Sequence, residues 1–330
     1  MKKVSIIIKC FGIVKGIKYI SIKLIGLFLR MIFRLLGSKM DGFASVLKRV
    51  ASKTDEMIED YIYEKYKPIF YKYSKYREEG VVPSQKILWT VWLQGEANLP
   101  YAVSECIKSM KRNAGEYTVQ VVSLENLNRY LDVDSSVIES FNEGHISAAH
   151  LSDYLRVMLL KRYGGVWLDA TQYMVRPLPD DIWNFELLVW NKVRDITSRN
   201  MYVAIPFVEK FNNGFLVGKR NSLFYSFAAD ITFELLSDPI LKIDYFSNFK
   251  AYFAGVKRIP ELKKQWSRME PVNQYGLLTR QLWNKPITQN VANLIDKDEN
   301  IFFVFTYKLV WKNSVNGVKT VQEYILESYQ

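Results

Sequence analysis

From residue 85 onward, short apolar runs alternate with longer stretches in which apolar side chains recur every three or four positions. The two periods are those of strands and helices, and their alternation is that of an α/β protein. The pattern predicts a strand over 86–93 (KILWTVWL) ended by Gly95, a helix over 102–112, and a second strand over 117–123. Short helices are expected over 124–131 and 136–142, and a longer one over 149–163, stopped by Gly164-Gly165. A buried strand over 166–169 follows. Beyond Pro177 the signal weakens to strands at 187–190, 203–206 and 215–217 and an amphipathic helix over 221–236. The aromatic tail, 301–311, is apolar enough to pack back on the domain. Upstream, 55–76 reads as helix, break at Pro68 and helix. The organisation expected is therefore a terminal segment over 1–53, a helical connector over 54–84 and one α/β domain over 85–330.

Charge is distributed unevenly along this chain. Of its net charge of +11, residues 1–50 hold +10, from eleven Lys or Arg against the single acid Asp41. The remainder is nearly balanced, which speaks against nucleic-acid binding by the folded body. Residues 1–36 are rich in Ile, Leu and Phe, yet their longest uncharged stretch is 24–29, far short of the roughly 20 apolar residues a membrane span needs. No small-residue cleavage site follows a clean apolar block. On a helical wheel Lys9, Lys23, Arg30 and Arg34 share one arc, with Lys15 and Lys18 off it and Gly12 and Gly16 as expected breaks. A cationic stripe opposite an apolar face suits the surface of an anionic bilayer, which is the partner expected for residues 1–50. Packing on the protein's own core is the alternative.

Cys10 and Cys106, with His145 and His150, are too few for a disulfide framework or a Cys/His metal site. A reducing, cytosolic setting is the simplest reading. Phosphate-loop, dinucleotide, serine-hydrolase and zinc-protease signatures are missing from the sequence. The informative stretch is 150–171, HLSDYLRVMLLKRYGGVWLDAT. Its helix is apolar almost all round, so Asp153 and Arg156, three residues apart, need partners. They form either a mutual ion pair or a pair facing a ligand. The following strand delivers Asp169 at its carboxyl end, the edge at which open α/β sheets bind ligands.

YGGVWLDAT after H-x-SD-xx-R, with WTVWLQGE upstream, resembles the bacterial capsular polysaccharide synthesis family, relatives of the glycosyltransferases with a DXD motif and a GT-A fold. The resemblance covers roughly 85–220. It implies a GT-A-like, Rossmann-related nucleotide-sugar-binding domain behind an N-terminal amphipathic extension. The activity implied is hexose transfer, with retention, from a UDP-sugar to a lipid-linked saccharide in surface polysaccharide synthesis, at the cytoplasmic face of the bacterial membrane.

Carried onto this sequence, Trp92 matches the aromatic that stacks on uracil, and Asp153 and Arg156 the pair that contacts the donor hexose. Asp169 matches the first Asp of DXD, and Thr171 stands where the second Asp would be. The implied cofactor is a divalent cation, Mn²⁺ or Mg²⁺, on Asp169. The neutral Thr171 hydroxyl is a weaker ligand than a carboxylate, and a non-catalytic nucleotide-sugar-binding subunit is the alternative this substitution raises. Three further places are candidates: Lys308 as a diphosphate partner, His150 as a polar anchor at the helix start or a base, and 211–218 (FNNGFLVG) as an acceptor wall opened by an Asn-Asn-Gly turn. In each the bland alternative, a solvated lysine, a packed imidazole or an ordinary turn, stands beside it.

Overall fold

The computed structural model describes residues 2–36, 41–75, 85–191, 211–270, 272, 276, 278–297 and 300–330. Its strands are β1 (Ile87–Val91), β2 (Thr118–Val122), β3 (Gly165–Leu168), β4 (Gln172–Met174), β5 (Leu187–Trp190), β6 (Asn212–Gly218) and β7 (Phe302–Val304). Five of them form a mixed sheet in the order β2-β1-β3-β6-β5, with β1 parallel to β2 and β3, and β6 antiparallel to β3 and β5. β3 and β5 are continuous apolar runs, and β1 is one broken only by the buried Thr90, because they are covered on both sides; Leu88, Trp89, Val166, Trp167, Val189 and Trp190 are all essentially inaccessible. β4 leaves this sheet and pairs antiparallel with β7, so the tail does return to the domain.

The helices are α1 (Lys2–Leu36), α2 (Asp41–Lys65), α3 (Lys67–Ser74), α4 (Tyr101–Arg112), α5 (Ser135–Asn142), α6 (Ala148–Tyr163), α7 (Leu223–Leu236), α8 (Ile240–Ile243), α9 (Ser247–Arg258), α10 (Pro260–Ser267) and α11 (Leu278–Gln281), followed by further short elements. α6 lies against β1, β3 and α7, with Leu151, Leu155, Leu159 and Leu160 fully buried. Ser147 caps its first turn through His150 N (3.2 Å), and Gly164 ends it with a left-handed φ of 68°. Gly165 carries φ 98°, and a Cβ there would run into the Ile87 carbonyl; the Trp89 Nε1–H donates to Gly164 O across the same gap (3.0 Å). The Gly-Gly pair thus lets β3 turn back tightly beside β1.

Expected helices and strands are present at most positions, including β5 residue for residue; the break expected at Pro68 falls at Tyr66, with Pro68 in the first turn of α3, where its missing N–H costs nothing. The strand expected over 203–206 lies outside the described residues. Where a turn was expected at Asn212-Asn213-Gly214, the chain is instead the start of β6, held extended by β3 and β5. The segment 124–131 forms only one 3₁₀ turn, Leu127–Arg129.

α2 runs unbroken across the 53–54 junction, and it packs on both α1 and α9. α1 kinks at Gly12 (φ 73°, ψ 170°), but Gly16 continues the helix, buried against Ile8. The arc of cations expected to face lipid is partly turned inward: Lys23 pairs with Asp244 (3.6 Å), and Arg30 lines a cavity of about 200 Å³ between α1, α2 and the body. Buried carboxylates on distant segments draw these cations in. What α1 presents outward is largely apolar, with Ile17, Leu24, Phe28 and Met31 all more than half exposed on one face.

Candidate active site

A cleft of about 610 Å³ opens where β1 and β3 end and β6 begins. This is the carboxyl edge of the parallel strands, where connecting segments leave side chains free to meet a ligand. Trp92 follows β1, Asp169 follows β3, Asn213 opens β6, and Asp153 and Arg156 come from the flank of α6; all five line it, as does Thr171. A tight turn in which Gln172 N donates to Asp169 O (2.8 Å) places Thr171, whose carbonyl accepts from Phe305 N (2.8 Å). That second bond anchors the tail, which brings Tyr307 and Lys308 to the rim.

Asp153 and Arg156 are both an ion pair and part of the cleft, which joins the two alternatives the sequence left open. The Arg156 Nη2 lies 3.2 Å from Asp153 Oδ1, and its Nη1 is 3.4 Å from Asp169 Oδ1 and donates to Asn213 O (2.7 Å). The guanidinium also covers the Trp167 ring (4.8 Å to the centroid). Asn213 Nδ2 and Asn248 Nδ2 donate to the two oxygens of Asp153 (2.8 and 3.3 Å). Burial pushes the Asp153 carboxyl above the usual range; Arg156 and His150 pull it back down, and Asp169 adds to the rise. Burial likewise raises the Tyr245 hydroxyl beside it.

Exposure separates the two carboxylates. Asp153 and Arg156 side chains are 9% and 7% exposed, whereas Asp169 is 34% exposed. Asp169 is fixed by its own amide, which donates to Gly214 O (3.0 Å), and by the Trp167 Nε1–H, which donates to its Oδ1 (2.9 Å). A Cβ on Gly214 would come 2.6 Å from Gln172 Nε2 and 3.4 Å from Asp169 Oδ2, so the bare backbone there keeps that oxygen open. Asp169 is the acceptor that reaches into the cleft; Asp153 holds Arg156 in place.

The residues do not fit a resident divalent cation. Both oxygens of Asp153 are committed to Asn213, Asn248 and Arg156, and the guanidinium lies on Asp169 as well. What remains is one carboxylate oxygen and the neutral Thr171, and among the described residues no three His, Cys, Asp or Glu side chains gather into a ligand set.

Trp92 meets Tyr307 edge-on (centroids 5.2 Å apart, 90°), and its Nε1–H is shielded with no partner among the described residues. His150 does not line the cleft; its imidazole packs against the Tyr245 ring (5.3 Å), and Ser147 rather than His150 anchors the helix start. Lys308 does reach the rim, joined by Arg280 from α11, which no sequence pattern singled out. Asn248 and Tyr245 were equally silent. Asn213 had a signal, a polar pair opening an otherwise apolar strand, although it supports the Asp153–Arg156 pair instead of forming a turn.

The profile of the family described as "Capsular polysaccharide synthesis protein" matches residues 42–325. O-glycosyltransferase braB of Annulohypoxylon truncatum is 32% identical over 158 residues, 43% of this chain and 36% of its own. O-glycosyltransferase PaGT of Phomopsis amygdali is 26% identical over 152 residues, 42% of this chain and 36% of its own. Both matches thus span little more than a third of those relatives. The solved structure of PaToxG Glycosyltransferase aligns over 77% of this chain and 96% of its own, at 15% identity and a TM-score of 0.38. With the family profile running through α2, the cleft and the tail alike, this chain belongs to the capsular polysaccharide synthesis protein family.

Proposed function

We propose that this protein is a GT-A-like glycosyltransferase that moves a hexose from a UDP-hexose to a lipid-linked saccharide. The observation that carries the reading is Asp169: an open carboxylate at the carboxyl edge of the sheet, beside a fixed guanidinium and below an aromatic rim. Such a carboxylate accepts from sugar or ribose hydroxyls and stabilises positive charge at an anomeric carbon. Trp92 is the platform we assign to the uracil. Asp153 and Asp169 are the only Asp, Glu or His among the described lining residues, and Asp153 is committed to Arg156. A separate base for inverting attack is therefore lacking there, which favours retention, with the acceptor hydroxyl attacking beside the departing phosphate.

Incubating the full chain with a panel of UDP-hexoses tests this. Slow donor hydrolysis to UDP and free hexose is expected for at least one donor, and accelerated UDP release when a lipid-linked saccharide is added. UDP-hexose binding with no hydrolysis of any donor would instead favour the non-catalytic binding subunit, the reading that Thr171 motivates.

The acceptor side of the reading rests on α1. No helix among the described residues is long and apolar enough to cross a membrane. The exposed face of Ile17, Leu24, Phe28 and Met31, bordered by exposed Lys18, suits a helix lying in the interface of an anionic leaflet. Phe246 lines both the cavity beneath α1 and the donor cleft, so lipid bound along α1 would sit next to the site of transfer. We place the protein peripherally at the cytoplasmic face of the bacterial membrane. In the intact chain, L24E/F28E should weaken binding to phosphatidylglycerol vesicles by at least about tenfold, since each side chain contributes about 1.5–3 kcal/mol when buried. Vesicle binding unchanged by the double substitution would remove the helix from this role.

A further inference from the structure

We propose that the donor's diphosphate is held by Arg280 and Lys308, which take the place of a divalent cation in this chain. The inference rests on the UDP-hexose reading and says how that same site binds its ligand.

The charges in the cleft point this way. Arg156 is spoken for, lying between Asp153 and Asp169 at 3.2 and 3.4 Å. Arg280 and Lys308 approach the cleft from two separate segments, α11 and the stretch after β7. Among the described residues neither side chain makes an ion pair or a side-chain hydrogen bond, and the Lys308 Nζ lies 6.0 Å from the Tyr307 ring centroid. The cleft thus holds two uncommitted positive charges and no free pair of carboxylates. A divalent ion entering it would meet one available carboxylate and three cationic side chains; an anion of about two charges meets the reverse. The guanidinium fork suits two phosphate oxygens at once, and lysine adds a compact charge.

A neutral donor completes the set. The Trp92 Nε1–H is shielded and unpartnered, and the Tyr307 that packs on its ring is the residue preceding Lys308. A cleft that holds both an orphaned indole N–H and an uncommitted ammonium suits an oxygen-rich, anionic ligand. Arg280 acts on the same wall, where its charge lowers the proton affinity of the Tyr245 hydroxyl against the effect of burial.

In the transfer, the bond between the anomeric carbon and the β-phosphate oxygen breaks, and its electron pair leaves on that oxygen. The acceptor hydroxyl forms the new bond to carbon and gives its proton to the departing phosphate. Arg280 and Lys308 neutralise the charge that develops there, a task that fixed cations perform without a metal.

Calorimetric titration of the full chain with UDP, in excess EDTA and again with Mn²⁺, is the test. UDP should bind in EDTA about as tightly as with Mn²⁺. R280M and K308M should each weaken UDP about 10- to 100-fold, as expected for lost charge-assisted hydrogen bonds, while leaving uridine affinity unchanged. K308R should recover most of the loss. Tenfold or greater dependence of UDP affinity on Mn²⁺, or wild-type UDP affinity in R280M/K308M, would overturn the proposal with the donor reading intact. Absence of UDP binding in both conditions by the folded wild type would overturn the donor reading and this inference together.

Discussion

Asp169→Asn is expected to lower hexose transfer by about 100- to 1,000-fold, the loss typical of deleting one well-placed electrostatic group at a reacting centre. The fold should be nearly indifferent to the change. Asparagine keeps an Oδ1 that accepts from the Trp167 Nε1–H, and the backbone bond from residue 169 N to Gly214 O is untouched. The side chain is a third exposed, so no buried charge is orphaned beyond Arg156, which retains Asp153 and the Asn213 carbonyl. The effect therefore isolates the negative charge itself: its attraction for developing positive charge on the sugar and its acceptance of hydroxyl protons. Transfer is read as UDP released per mole of acceptor, and folding as the melting temperature of the same preparation. Wild-type turnover in Asp169→Asn would take this carboxylate out of the reacting centre.

The sequence made Asp169 legible for a physical reason. A strand buried on both faces reads as an apolar run, so the polar residue that ends it marks the sheet edge, and Gly164-Gly165 fixes where the strand begins. Asp153 and Arg156 stand out for the same kind of reason, being charged on a helix with no polar face. Asn248, Tyr245 and Arg280 gave no such contrast. They come from segments 60 or more residues downstream of Asp169 with mixed composition, and they acquire meaning only because α9 packs over α2 and α7 and the tail folds back. The helical wheel of α1 had the same limit. It placed Lys23 and Arg30 correctly on one arc, but a wheel contains a single helix, and the carboxylates that draw the arc inward lie on α2 and after α8.

Those carboxylates make Lys250→Met the substitution with the largest expected effect on stability. The Lys250 side chain is 3% exposed, and its Nζ lies 2.7 Å from both Asp55 Oδ1 on α2 and Asp244 Oδ2 after α8. Replacing it with methionine fills the volume but leaves two buried carboxylates with the more distant Lys23 as their cation and, for Asp244, the Phe246 amide, a loss of about 3–5 kcal/mol. The pH response of Asp244 should change sign as well. In the wild type, burial alone would raise the Asp244 carboxyl, but Lys250 and Lys23 together hold it below its ordinary value. Its contribution is complete above the unfolded value of about 3.9 and disappears as pH falls through the lower folded value, so it is constant between pH 7 and 5. Asp55 already lies above its ordinary value through burial, Lys250 notwithstanding; without Lys250 it rises further and Asp244 rises with it, and protonation on acidification relieves their repulsion. Lys250→Met should therefore gain more stability than the wild type between pH 7 and 5, and Asp55→Asn added to it should recover part of the loss at pH 7. Urea denaturation at the two pH values measures both effects. The consequence reaches the cleft, because Asp244 immediately precedes Tyr245 and Phe246, which form its wall. A variant that loses stability without a larger gain on acidification than the wild type would mean that Lys250 acts through packing, and that the N-terminal helices are tied to the cleft by shape instead of by charge.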